Sequence, residues 1–431
     1  MEKVCISGEI AGRIESPSSK SAMQRAVACA LLADGRSEIS FSGSPCADSQ
    51  AAGRVAAALG ATLEWAKDRL TMYGSPLFSR QSALTIPDSE NPDEAKILEC
   101  GESGLCMRMF SPLASLLDRK IIMMAEGSLA LRPMAMMEAP FAQAGVSCRT
   151  DSGHPPVELK GPLRGGRIFM DAGGSSQFLT GLLMALAFTS KGGEVELTNP
   201  VSMGYLDLTA EMCGYFGVKI GISEDHRHYA IPGGQIYRPA SIRIEGDWSS
   251  GAFLAVAAAL ASRKGLMIGG LDPLSSQPDR AILPALLSAG SRVEFLKDQL
   301  RVVRDRLVPF VFDATQCPDL FPPLAVLAAA ADGVSVLKGI SRLKGKESDR
   351  ALSIQRCLEN LGICVDLGND EMRIRGGSIH GGKVDACGDH RIAMAAATAA
   401  ITASGPVTII GSECVGKSWP GFYQDLDSIR S

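Results

Sequence analysis

The 431-residue sequence has no C-x-x-C pair, no excess of positive charge and no apolar run that reaches the ~18 residues of a membrane-spanning helix. Its longest apolar stretches, 252–261 and 392–401, stop well short of that length. Aromatic residues are scarce at 5%, and charged residues amount to 21%. Forty-three Lys+Arg stand against 47 Asp+Glu, a net charge of −4, so no general field draws in DNA or RNA. No nucleic-acid or membrane partner is therefore expected, and any anion must be bound by local design. The twelve cysteines, scattered from Cys5 to Cys414, have no partner histidines at zinc spacing. They read as reduced thiols, mostly small core residues, and no metal site is expected. The start, Met1-Glu2-Lys3-Val4-Cys5, lacks the basic region and long apolar run of a secretory signal, which predicts a cytoplasmic protein.

What is present is apolar bulk and a period. Hydrophobic residues at 46% supply large cores, and the length predicts two or three domains. Ala/Leu/Gly-rich stretches recur near Ser18, Glu102, Ser175, Ser249, Pro318 and Gly388, at spacings of 84, 73, 74, 69 and 70 residues. That regularity suggests a sixfold supersecondary unit too long for a solenoid. The stretches 178–188, 252–261 and 392–401 are apolar nearly all round, so each predicts a helix buried on every side. Short β-branched segments, such as 194–197, 334–337, 372–375 and 407–410, read as strands. Strands then cover helices, the reverse of the usual α/β layering.

Polar clusters open these helices. Ser18-Ser19-Lys20-Ser21 with Arg25, Gly101-Glu102-Ser103-Gly104 with Arg108, and Gly173-Gly174-Ser175-Ser176-Gln177 each combine small residues, backbone N–H groups and hydroxyls or cations at a helix start. Such a start can bind a phosphate or can simply be capped. Lys344-Gly345-Lys346-Glu347-Ser348-Asp349-Arg350 and Gly388-Asp389-His390-Arg391 mix acids with cations. They fit either a solvated helix start or a site that binds an anion while an acid moves protons. The stretch Gly411–Ser418 matches the phosphate-loop pattern G-x-x-x-x-G-K-[ST], but Trp419-Pro420-Gly421 follows where a helix should, so a nucleotide-hydrolysing loop is not expected.

Taken in order, these segments resemble the 5-enolpyruvylshikimate-3-phosphate synthases, enolpyruvyl transferases of the shikimate pathway. The matching motifs are P-S-S-K-S-x-x-x-R at 17–25, G-x-S-G-x-x-x-R at 101–108, R-P-M at 132–134, S-S-Q-F-L-T at 175–180, Ser202 with Tyr205, E-G-D-W-S-S at 245–250, P-D at 318–319, K-x-K-E-S-D-R at 344–350, D-H-R-x-A-M at 389–394, and Lys417. The resemblance implies a two-domain inside-out α/β barrel of six βαβαββ repeats, with buried helices and outer four-stranded sheets. It also implies domains of 18–244 and of 1–17 with 245–431, a site in the cleft between them, and a monomer needing no cofactor.

It further implies transfer of the enolpyruvyl group of phosphoenolpyruvate to the 5-hydroxyl of shikimate-3-phosphate, by addition and elimination through a tetrahedral intermediate, on the route to aromatic amino acids. The two substrates bring four anionic groups together, which demands local positive charge. Carried over residue by residue, Lys20, Ser21, Arg25, Ser175, Ser176, Gln177, Ser202, Tyr205, Asp319 and Lys346 would hold shikimate-3-phosphate, Arg25 taking its carboxylate. Lys20, Gly104, Arg132, Gln177, Arg350, Arg391 and Lys417 would hold phosphoenolpyruvate, with Arg350 and Arg391 forking onto its carboxylate. Asp319, Glu347 and Lys20 are the candidate catalytic groups. The chain departs from the family pattern at Glu102, Leu105, Arg342 and Ala351, and no second arginine precedes Arg132-Pro133. Three other readings are a sister transferase acting on UDP-N-acetylglucosamine, disfavoured because Ser21 follows Lys20, an anion-binding scaffold without activity, and an RNA-end-modifying enzyme on a related fold, for which the sequence offers neither a nucleotide site nor a basic RNA path.

Overall fold

The structure is a computed structural model that describes residues 1–79 and 94–430. The chain forms two compact units, one made of Lys20–Phe41 with Ala47–Ile244, the other of Met1–Ser19, Ser42–Cys46 and Glu245–Ser431.

In the first of these units the helices Lys20–Leu32, Gly104–Ala114 and Gln177–Phe188 form the centre. Every residue of Gly104–Ala114 is buried, as the absence of a polar face requires. The helices pack closely enough that a Cβ on Gly181 would lie 2.0 Å from the carbonyl oxygen of Met109. Three four-stranded sheets cover them. Their strands alternate: Ile121 and Met123 face inward from Lys120–Met124, and Ile168 and Met170 from Gly166–Asp171, while the intervening residues face out. In two of these sheets one strand runs parallel to the next across a central helix, and an antiparallel pair completes the sheet. Lys96–Glu99 pairs parallel with Lys120–Met124, which pairs antiparallel with His154–Lys160 and that with Ser147–Asp151.

The other unit repeats the plan around Trp248–Ala261, Phe321–Ala329 and His390–Ala400, all of whose residues are buried. Two of its sheets have four strands and the third has three. In that third sheet Gly382–Asp385 pairs parallel with Val407–Ile410, and Glu2–Cys5 supplies the other neighbour. After Val407–Ile410 the chain makes a 3-10 turn, Ser412–Lys417, and the helix Phe422–Ser428 instead of a hairpin, so the fourth strand of the repeat is not formed.

Besides Glu2–Cys5, two more strands come from distant parts of the sequence. Gly12–Glu15 pairs parallel with Leu266–Gly269, and Ser241–Arg243 pairs parallel with Arg36–Ser40. All twelve cysteines are unbridged. Among the described residues no helix is long and apolar enough to cross a membrane.

Candidate active site

The residues singled out in the sequence fall into two groups, one in each unit. In the unit containing Lys20–Phe41 they gather at the N-terminal ends of the three central helices, where backbone N–H groups lack intrahelical acceptors and the helix dipoles are positive. Lys20, Gly104 and Gln177 are the first residues of those helices. Side chains knit the three ends together. Ser103 Oγ donates to Gln24 Oε1 at 3.2 Å, Arg25 Nη2 donates to Thr180 Oγ1 at 3.3 Å, and Arg108 Nη1 donates to Gln177 Oε1 at 2.8 Å. Each bond joins a different pair of helices.

Arg25 is the least ordinary of these groups. Its guanidinium is 2% exposed and donates to Thr209 Oγ1 at 2.9 Å, to the Ser21 carbonyl at 2.8 Å and to the Tyr205 carbonyl at 3.1 Å, besides Thr180. Tyr205 also lies beside it, with the guanidinium carbon 5.7 Å from the ring centroid. No carboxylate among the described residues pairs with it, and burial pulls its pKa down to about 10. One of its N–H groups is left by these bonds, so a ligand carboxylate would meet an uncompensated charge more than a two-pronged fork.

Lys20 donates to Asp48 Oδ2 at 3.0 Å. Arg132 reaches Gly104: a Cβ there would sit 2.6 Å from Arg132 Nη1 and 3.1 Å from Arg108 Nη1, so the missing side chain is what lets two cations approach the helix start. Ser175 Oγ accepts from the Gln177 N–H at 3.2 Å, Ser176 is buried, and Ser202 holds a left-handed φ of 54° with its carbonyl accepting from the Tyr205 N–H. Of the departures, Leu105 packs into the hydrophobic core, and the Glu102 carboxylate accepts from Ser128.

In the unit containing Glu245–Ser431, acids and cations interlock. Arg350, 1% exposed, donates through Nε to Asp389 Oδ2 at 2.9 Å, through Nη1 to Asp319 Oδ1 at 2.8 Å, and through Nη2 to Glu347 Oε2 at 2.5 Å and Asp389 Oδ1 at 3.3 Å. Burial alone would lower its pKa, but Asp389, Glu347 and Asp319 raise it instead. The fork expected to meet a substrate carboxylate is thus occupied at Arg350 by the protein's own carboxylates. Asp389 also caps the helix His390–Ala400, accepting from the Arg391 N–H at 3.0 Å, and takes a hydrogen bond from Ser348 Oγ at 3.2 Å.

Asp319 sits in the 3-10 turn Pro318–Leu320 that leads into Phe321–Ala329. Arg391 Nη2 donates to its Oδ2 at 3.0 Å, and Lys346 Nζ lies 3.5 Å from Oδ1. Burial pushes this carboxyl up, yet Arg391, Lys346 and Arg350 together hold it well below the usual carboxylate range, against a smaller opposing push from Glu347. Arg342 donates to the Thr315 carbonyl at 3.4 Å, and burial lowers its pKa against the pull of Asp319. Lys417 is buried in its 3-10 turn. Among the described residues no three His, Cys, Asp or Glu side chains cluster as metal ligands would.

Sequence reasoning missed Asp48, Thr209 and Gln24. Each lies on a helix remote in sequence from the group it serves, or one position from it, and carries no local signal. Asp389 had such a signal, as the acid opening an apolar helix.

The family model for EPSP synthase (3-phosphoshikimate 1-carboxyvinyltransferase) matches residues 4–426. The 3-phosphoshikimate 1-carboxyvinyltransferase of Clostridium kluyveri is 35% identical over 426 residues, covering 98% of this chain and 95% of that one. The enzyme of the same name from Aeropyrum pernix is 36% identical over 420 residues, covering 97% and 93%. The structure of EPSP synthase from Acinetobacter baumannii superposes with a TM-score of 0.80 at 24% identity, covering 100% of this chain and 98% of that one, which supports the fold alone. With a family match and relatives that both run nearly end to end, this chain belongs to the EPSP synthase (3-phosphoshikimate 1-carboxyvinyltransferase) family.

Proposed function

We propose that the protein transfers the enolpyruvyl group of phosphoenolpyruvate to the 5-hydroxyl of shikimate-3-phosphate and releases phosphate. The observation that carries this reading is Arg25. A buried guanidinium without a carboxylate partner costs several kcal/mol unless an anion compensates it, and a shikimate carboxylate is such an anion. Ser175, Ser176 and Gln177 at one helix start and Ser202 just ahead of another are donors suited to the shikimate phosphate, with Lys346 adding charge and Ser21 and Tyr205 lining the ring. Lys20, Gly104, Arg132 and Lys417 take the phosphate of phosphoenolpyruvate, and Arg391 its carboxylate. Arg350 contributes its remaining N–H and holds the acids in place.

The shikimate hydroxyl oxygen adds to the central carbon of the enol while its proton passes to Asp319 and the methylene gains a proton. Then the bond from that carbon to the phosphate oxygen breaks, phosphate leaves, and the new methyl group returns a proton to restore the double bond. Lys20 and Glu347 are the groups for the methylene proton. Asp319 is a weak base while three cations face it. When Arg391 turns its charge toward the carboxylate of phosphoenolpyruvate, the Asp319 pKa rises and its basicity with it.

Mixing the protein with phosphoenolpyruvate and shikimate-3-phosphate should release inorganic phosphate in proportion to the enol ether formed. Release with UDP-N-acetylglucosamine in place of shikimate-3-phosphate would assign the sister reaction. No release with either would leave only an anion-binding scaffold.

A further inference from the structure

Glu102 is an acid beside a site built for phosphate, and by charge alone it should repel phosphoenolpyruvate. Its geometry says otherwise. Glu102 Oε2 accepts from the Ser128 N–H at 3.0 Å and from Ser128 Oγ at 2.9 Å. The carboxylate lies flat over Gly127, where φ is 49° and an added Cβ would meet the carboxylate carbon at 2.5 Å. Ser128 belongs to the 3-10 turn Gly127–Leu131, and the residue that ends this turn is Arg132.

The same segment is fastened at further points. The Glu126 N–H donates to the Gly101 carbonyl at 2.8 Å, and the Met134 N–H to the Gly153 carbonyl at 2.7 Å. Arg108 Nη2 donates to the Pro133 carbonyl at 3.0 Å, and His154 Nδ1 lies 3.3 Å from the Arg132 carbonyl. Glu126, Arg132, Pro133 and Met134 are thus held through backbone atoms, Leu129 is buried in the core, and the Glu102 carboxylate ties down the polar side of the turn between them through Ser128.

We propose that Glu102, acting through Ser128, is a positioning residue that sets the affinity for phosphoenolpyruvate by holding the turn 127–131 so that Arg132 stays over the Gly104 helix start. The proposal rests on the reaction assigned above. It predicts the opposite sign from simple repulsion, since removing a repelling acid would tighten binding and removing a clamp loosens it.

Steady-state kinetics on the full chain decide between the two. Glu102→Ala should raise KM for phosphoenolpyruvate about tenfold, the scale of losing hydrogen bonds to a charged acceptor, with KM for shikimate-3-phosphate and kcat changed by less than about threefold. Inorganic phosphate, used as a probe competing with phosphoenolpyruvate, should inhibit more weakly in parallel. Ser128→Ala, which keeps the backbone N–H, should move KM in the same direction by less, and the double variant should match Glu102→Ala alone. Glu102→Gln, retaining an acceptor, should recover part of the loss and serves as the readout should the alanine variant not fold. An unchanged or lowered KM for phosphoenolpyruvate, an equal rise for both substrates, or additive effects in the double variant would each overturn the clamp. A wild-type protein without turnover would overturn the assigned reaction and this inference with it.

Discussion

Arg350 and Arg391 carry the same functional group at the starts of two helices, and their surroundings give them different work. Arg350 is enclosed by Asp319, Glu347 and Asp389, so Arg350→Ala leaves three carboxylates without their shared cation and should cost about 3–5 kcal/mol of stability, read as a lower urea midpoint. A midpoint equal to the wild type's would show that the cluster carries no net stabilisation. Arg391 bears most strongly on the ionisation of Asp319, ahead of Lys346 and Arg350. Since the Asp319 pKa is depressed, its carboxylate persists from neutral pH down past the ordinary carboxylate range, and its stabilising contribution is lost only as pH falls through the depressed value. In Arg391→Gln the acidic limb of kcat/KM should therefore move to higher pH. Both substrates titrate identically in the two proteins, so the difference isolates the enzyme group, and coincident limbs would remove Asp319 as the base. The cations stood out in the sequence because they open apolar helices, although a solvated helix start would look the same until the chain is folded. Their partners did not stand out. Thr209 serves Arg25 from another helix, and Asp48 answers Lys20 from a third, each looking like an ordinary helix residue until the chain is folded.

Central helices were the most legible elements, since a sequence without a polar face has nowhere to lie except the interior. Their ends were less so: 252–261 reads as the apolar core of a helix that starts at Trp248, because Asp247, which accepts from the Ser250 N–H at 2.8 Å, begins it while the sequence still looks polar. Close packing of these helices makes Gly181 a position without tolerance. A methyl there meets the Met109 carbonyl, so Gly181→Ala should destabilise by about 1–3 kcal/mol or more despite the better helix propensity of alanine. A stabilised variant in thermal unfolding would show that the two helices can part without cost. The three-stranded sheet could not be foreseen, because the pairing of Glu2–Cys5 with Val407–Ile410 joins opposite ends of the sequence and leaves no local trace.

For the whole molecule, the sixfold spacing of small-residue helix starts revealed the repeat, and the negative net charge hid how cationic the helix ends are. What spacing could not reveal is that three repeats borrow a strand: Gly12–Glu15 completes the sheet of Leu266–Gly269, Ser241–Arg243 that of Arg36–Ser40, and Glu2–Cys5 joins that of Val407–Ile410. This sets an order on synthesis. At ~5–20 residues per second, the nascent segment around Gly12–Glu15 waits tens of seconds after leaving the ribosome before its mate has been translated. The sheets of Lys96–Glu99 and Gly166–Asp171 need no such delay, since all their strands lie close together in sequence. The unit of Lys20–Phe41 with Ala47–Ile244 is thus the one able to mature first, and a chaperone guarding the Gly12–Glu15 strand would have its task confined to that interval.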